Sequence, residues 1–175
     1  MGLLKYLIIF LFFNTLSYAN MKTAYDFTFK SIDGGTLDLS NFKGKTLVVT
    51  NVASRCGFTN QYDGLQTIWE EYKDKNVVVI GVSSNDFNQE LKSKEEVKKF
   101  CDVNFGINFP MTDITKVKGD EAHSFYKWVK ETHGSKPKWN FYKILINKEG
   151  QVEDSFSSFT KPDSKKFRGA IEKIL

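Results

Sequence analysis

The chain of 175 residues carries only two thiols, Cys56 and Cys101. It has no CxxC pair and no cysteine–histidine cluster at metal-ligand spacing, so zinc is not expected. An even pair of cysteines in an oxidising compartment could simply staple a small domain. The local sequence has to decide between a staple and chemistry. Cys56 lies in Asn51-Val52-Ala53-Ser54-Arg55-Cys56-Gly57-Phe58-Thr59, where a hydrophobic run ends in a short polar loop before helical spacing begins. A sulfur near a helix N-terminus faces unpaired N–H groups and the positive end of the helix dipole, and both favour thiolate over thiol. Arg55 adds positive charge beside it, and Gly57 lets another molecule come close. The pattern predicts a reactive thiol, not an inert buried one.

The elements around this loop follow from periodicity. Tyr25 to Ser31 and Thr36 to Leu39 alternate around Asp33-Gly34-Gly35, which predicts an N-terminal hairpin. Thr46 to Val52 and Asn76 to Val82 are apolar strands of the buried kind. Between them Leu65, Ile68, Trp69 and Tyr72 recur at helical steps, giving a crossover with parallel pairing. Ser93, with Glu96 three residues on, has the form of a capping box. It opens a helix with Val97, Phe100 and Cys101 on one face. A further helix is expected over Glu121 to Glu131, and a hairpin from Phe141–Ile146 and Gln151–Phe156. A last helix is expected from Pro162 to Ile174, with Pro162 in its first turn. The order predicts an α/β fold: a mixed central sheet with helices on both faces.

The run around Cys56 resembles the active-site segment of the glutathione peroxidase family, in which selenocysteine or cysteine attacks the peroxide. Lys138-Trp139-Asn140-Phe141 is similar to the family's tryptophan–asparagine–phenylalanine motif. Phe100-Cys101-Asp102-Val103-Asn104-Phe105-Gly106, running into Asn108-Phe109-Pro110, is a third match, in the same order and spacing. The resemblance extends from about Tyr25 to the C-terminus. It implies a thioredoxin-like fold and a thiol peroxidase that reduces hydrogen peroxide and organic or lipid hydroperoxides through a sulfenic acid. It places Gln89, Trp139 and Asn140 around the Cys56 sulfur as N–H donors. It implies no cofactor and no metal, and makes Cys101 the resolving thiol, with a thioredoxin-like protein or glutathione as reductant. The chain departs from the family pattern at Val82-Ser83-Ser84-Asn85-Asp86-Phe87, where Ser84 stands for a cysteine and Asp86 for a glutamine. The next segment is one residue short; Gln89 is its best match to the family glutamine, and Asn85 is a substitute donor. Periodicity pulls against the role of Cys101, because its apolar helix face reads as burial. The two readings meet if that helix opens locally after Cys56 is oxidised.

The ends and the charge bound the rest. Residues 1–19 carry one lysine, an apolar run from Tyr6 to Phe13, and Ser17-Tyr18-Ala19, the layout of a secretory signal peptide. The expectation is an exported, periplasmic or secreted domain over residues 20–175, without stable membrane insertion after cleavage. The formal net charge is +4, and the charges are spread along the chain, so nucleic-acid binding is not indicated. Tetrameric family members carry an extra loop before the tryptophan motif. Thr132 to Lys138 is short, which implies a monomer. A thiol–disulfide exchange protein and a non-catalytic domain with a structural disulfide are the rival readings.

Overall fold

The computed structural model describes residues 22–175. The proposed signal peptide lies outside the described residues. β1 (Thr28–Lys30) and β2 (Thr36–Asp38) pair antiparallel as a small hairpin. A separate five-stranded sheet is built from β3 (Thr46–Val52), β4 (Val77–Ser83), β5 (Met111–Thr112), β6 (Lys143–Ile146) and β7 (Val152–Phe156). Its order is β5-β4-β3-β6-β7. β4 pairs parallel with β3 and β5, whereas β6 pairs antiparallel with β3 and β7. All residues of β3 and β4 are buried. This is why both read as continuous apolar runs.

Strand alternation sorts the core into two halves. Val48, Val52, Val79 and Leu145 face a cluster closed by α1 (Gln61–Tyr72), α2 (Lys94–Phe105) and α4 (Lys165–Glu172). Leu47, Val49, Ile80 and Ile144 face the opposite cluster, closed by α3 (Ser124–His133) and the N-terminal segment around Phe27 and Leu39. The mixed sheet, with helices on both faces, matches the sequence reading.

Helix boundaries depart from it in instructive ways. α3 starts at Ser124, because His123 serves as the N-cap and its Nδ1 accepts the Phe125 N–H at 3.2 Å. α4 is capped by Ser164, whose Oγ accepts from the Phe167 N–H. Pro162 therefore precedes the helix, and it packs against α1 where Gly64 has no side chain. At α2 only half of the box forms: Ser93 Oγ accepts the Glu96 N–H, while the Glu96 carboxylate takes the N–H of Lys92 instead of Ser93.

Candidate active site

The sequence reading puts Cys56 where a short loop leads into a helix, and the structure sets the helix five residues further on. α1 begins at Gln61, and the intervening residues form tight turns. The Thr59 N–H closes one turn on the Cys56 carbonyl at 3.0 Å, and the Gln61 N–H closes another on Phe58 at 2.9 Å. Thr59 Oγ1 accepts the Cys56 N–H at 3.0 Å and faces the carbonyls of Cys56 and Ala53 at 2.6 and 3.1 Å. The N–H that reaches the sulfur is local: Phe58 donates to Cys56 Sγ at 3.4 Å. The loop thus supplies by its turn what the helix end was expected to supply, a backbone donor aimed at sulfur. Cys56 is more enclosed than expected, at 8% exposure, while Arg55 and Gly57 are exposed. A side chain at Gly57 would meet nothing within 4 Å, so the space beside the thiol is open.

A second segment grips this loop from above the sheet. The Arg55 N–H donates to the Gln89 carbonyl at 2.8 Å, and the Ser54 N–H donates to Glu90 Oε1 at 2.9 Å. Glu90 Oε1 also accepts from Leu91, and the Glu90 N–H donates to Asn85 Oδ1 at 3.0 Å. Asn85 thereby closes the segment on itself. Glu90 is buried, and desolvation holds its carboxyl above the usual range against the opposing pull of its N–H donors. Asp86, which stands where the family has a glutamine, is structural: its Oδ2 accepts from the N–H groups of Val117 and Lys118 at 2.6 and 3.0 Å.

The third segment is Trp139-Asn140-Phe141. Asn51, at the end of β3, holds it through both ends of its amide. Nδ2 donates to the Trp139 carbonyl at 3.1 Å, and Oδ1 accepts the Tyr142 N–H at 3.2 Å. Phe141 takes a left-handed backbone, φ 61°, with its N–H on the Asn51 carbonyl at 2.6 Å. A non-glycine residue in that region costs about 1–2 kcal/mol, which these bonds offset. Asn140 is fully buried; its Nδ2 donates to Gln89 Oε1 at 2.9 Å, and its Oδ1 has no partner. Trp139 is 41% exposed, with its ring against Phe87 at a centroid distance of 5.3 Å.

Gln89 and Asn140 are therefore joined directly, and Gln89 is also tied to the backbone beside Cys56. Trp139 precedes Asn140 at the open side. Cys101 is not part of this cluster. It lies on α2 at 1% exposure and lines a separate cavity of about 250 Å³ with Lys98, Phe109 and Met111. The loop of Cys56 borders another cavity, of about 400 Å³, lined by Gly57, Phe58, Gln61, Phe159 and Pro162. Both thiols are free. Desolvation pushes the Cys101 thiol from 9.0 up to about 12. Sequence reasoning missed Asn51, Thr59 and Glu90. Thr59, three residues after the cysteine, carried a turn signal. Glu90 carried none, since a carboxylate beside a polar loop residue reads as a surface charge.

The family model described as Glutathione peroxidase matches residues 24–130. A glutathione peroxidase of Lactococcus lactis subsp. cremoris is 40% identical over 86% of this chain and 98% of its own length. The glutathione peroxidase-like peroxiredoxin of Schizosaccharomyces pombe is 40% identical over 89% of this chain and all of its own. The chain belongs to the glutathione peroxidase family. Among solved structures, Trgpx in its apo form superposes with a TM-score of 0.70 at 31% identity, covering 87% of this chain and 95% of that one. A putative thiol:disulfide interchange protein of Chlorobium tepidum shares the thioredoxin-like fold, with a TM-score of 0.62 at 21% identity, over 87% and 94%. That likeness concerns the fold alone. The family relationship makes the chain a thiol peroxidase, as its sequence motifs implied.

Proposed function

We propose that Cys56 is the attacking thiol and that Gln89, Asn140 and Trp139 serve its transition state. The observation that carries this reading is the bonded chain from the Arg55 N–H to Gln89 and from Gln89 to Asn140. It ties the backbone of Gln89 to the loop that presents the sulfur, and the Asn140 amide to the Gln89 side chain. The thiolate attacks one peroxide oxygen, the O–O bond breaks, and the leaving oxygen takes a proton to become water or an alcohol. Cys56 is left as a sulfenic acid. Amide and indole N–H groups near the sulfur would hold the thiolate and then meet the charge growing on oxygen.

Cys101 then condenses with the sulfenic acid to give a disulfide, which an external dithiol reduces. α2 supports this reading, because only Val97 and Cys101 of its residues are buried, so its opening cost is low. The reductant is a thioredoxin-like protein, with glutathione as the other candidate. Substrates are hydrogen peroxide and organic or lipid hydroperoxides. Support for the apolar class comes from the edge-to-face Phe58 and Phe159 beside the Cys56 loop, Phe159 being 83% exposed. A hydroperoxy fatty acid reductase of Synechocystis is 35% identical over 88% of this chain and 96% of its own length. The N-terminal leader directs export, and the mature protein acts as a monomer. Among the described residues no helix is long and apolar enough to cross a membrane.

The deciding experiment consumes hydrogen peroxide with dithiothreitol, thioredoxin or glutathione in turn, with mass spectrometry of the oxidised protein. A Cys56 sulfenic acid followed by a Cys56–Cys101 disulfide is the expected sequence. Unreactive Cys56 defeats the proposed chemistry, and two-thiol protein after turnover defeats the role of Cys101.

A further inference from the structure

Lys143 opens β6 and is fully buried. Alternation along the strand puts it on the same side of the sheet as Leu145, the side that α1 covers. Among the described residues no carboxylate pairs with it. Burial lowers its pKa from 10.5 to about 7, the response of a cation held out of water. Methionine would fill the same space without that cost. The partners of Lys143 are neutral oxygens outside the sheet. Its Nζ donates to Gln61 Oε1, in the first turn of α1, and to the Thr160 carbonyl, the latter at 2.8 Å.

Gln61 is buried too, and its Nε2 donates to the Ser158 carbonyl at 2.6 Å. Lys143 and Gln61 thus both hold the turn of residues 157–160, which the Thr160 N–H closes on the Ser157 carbonyl at 3.0 Å. A third tie is Ser158 Oγ, which donates to the Asn140 carbonyl at 2.6 Å. Phe159, inside this well-held turn, is nonetheless exposed, with its ring edge-on to Phe58 at 5.3 Å. Phe58 is the residue whose N–H meets the Cys56 sulfur. The two rings and Gln61 line the cavity of about 400 Å³ beside the Cys56 loop. An exposed phenylalanine keeps such a place only if its backbone is fixed, because chain entropy opposes the ordering of a surface turn.

We propose that Lys143 and Gln61 are positioning residues that pin this turn, so that Phe159 forms a wall beside the Cys56 loop and selects bulky apolar hydroperoxides over hydrogen peroxide. The inference rests on the attack by Cys56 proposed above. A hydroperoxide with an aromatic or long alkyl group lays that group along the two rings, where it leaves water, with its O–O bond toward the sulfur. Hydrogen peroxide has nothing to place there. The Asn140 segment keeps its own anchors on Asn51 when the turn loosens, so the wall is separable from the attack.

The test compares cumene hydroperoxide with hydrogen peroxide as oxidants of Cys56, read by trapping the sulfenic acid. It uses wild type, Lys143→Met, Phe159→Ala and the double variant, and the quantity is the ratio of the two second-order rate constants. Lys143→Met should lower that ratio about tenfold, the equivalent of about 1.4 kcal/mol. Phe159→Ala should lower it at least as far, and the double variant no further than Phe159→Ala, because both changes remove one wall. Damage to the thiol site slows both oxidants alike and leaves the ratio unmoved. An unchanged ratio in either single variant, or additive losses in the double variant, overturns the proposal and leaves the attack by Cys56 standing. Failure of wild-type Cys56 to react with either peroxide overturns both. Should Lys143→Met lose its cooperative melt, Gln61→Leu decides on the same ratio. It removes the tie to Ser158 and an acceptor of Lys143, and an unchanged ratio in it overturns the pin.

Discussion

Cys56 and Cys101 pack into the same half of the core, on the same side of one sheet, yet their surroundings differ in kind. The Cys56 loop is held through most of its N–H groups: Ser54 by Glu90, Arg55 by Gln89, Cys56 by Thr59, and the sulfur itself by the Phe58 N–H. Cys101 belongs to a helix that buries only one other residue, and lysines cover the outside of that helix. In the proposed cycle the first thiol is pre-organised for the attack on peroxide, whose geometry must be ready in advance. In the same proposal the second, desolvated in the core, becomes available when its element moves. The proposed cycle thus separates attack from resolution by rigidity on one side and marginal anchoring on the other.

The comparison breaks most sharply at Cys56. Cys56→Ser should reduce peroxide turnover to the uncatalysed background while the thermal melt stays near wild type; turnover close to normal would remove the central assignment. Cys101→Ser should leave the first oxidation intact and block recycling by thioredoxin. Its disulfide should be absent from mass spectra, with Cys56 trapped as the sulfenic acid. The same thiol has a signature in pH. Its value is raised from 9.0 to about 12 in the folded protein, so the unfolded chain loses this proton first. The contribution to stability is complete below about pH 9 and falls as pH rises toward 12. Cys101→Ala should flatten that part of the base-denaturation curve, and an unaltered curve would show that α2 does not enclose the thiol.

Smaller effects sharpen the contrast. Asn140→Ala and Trp139→Ala should each slow Cys56 oxidation on the order of a hundredfold, as the loss of one transition-state donor does. Resolution should slow less, which stopped-flow traces can separate. Because Asn140 is buried and Trp139 is half-exposed, only the asparagine variant should also lower the melting temperature. Equal rates in wild type and both variants would make these residues packing alone. The smallest effect belongs to Ser93→Ala. Removing this N-cap costs about 1 kcal/mol, roughly a fivefold rise in local opening of α2. Amide exchange in α2 and disulfide formation should both quicken, with the attack on peroxide unaltered. Slower resolution in this variant would mean that α2 reacts from its closed form.

Much of this was legible in the linear chain. The apolar runs of β3 and β4 and the helical recurrence of Leu65, Ile68 and Tyr72 specified the crossover. Solvent exclusion on both faces of a central strand leaves an unbroken apolar signature. The motifs at Cys56, Cys101 and Trp139–Asn140 named the family and its chemistry. What these did not contain was the set of bonds that joins them. Asn51 reads as a strand-end polar residue, Glu90 as a surface charge, and Thr59 as a turn residue. Each proves to bind backbone groups, two of them on distant segments. Backbone N–H and C=O groups are identical along the chain, so sequence cannot say which of them a side chain will meet. Nor could periodicity decide that the loop after β3 closes on its own turns before α1 starts, or that the Tyr62 hydroxyl is buried without a hydrogen-bond partner. Periodicity determined which faces are apolar; the burial of particular polar atoms was decided only when three segments far apart in the chain were packed over one end of the sheet.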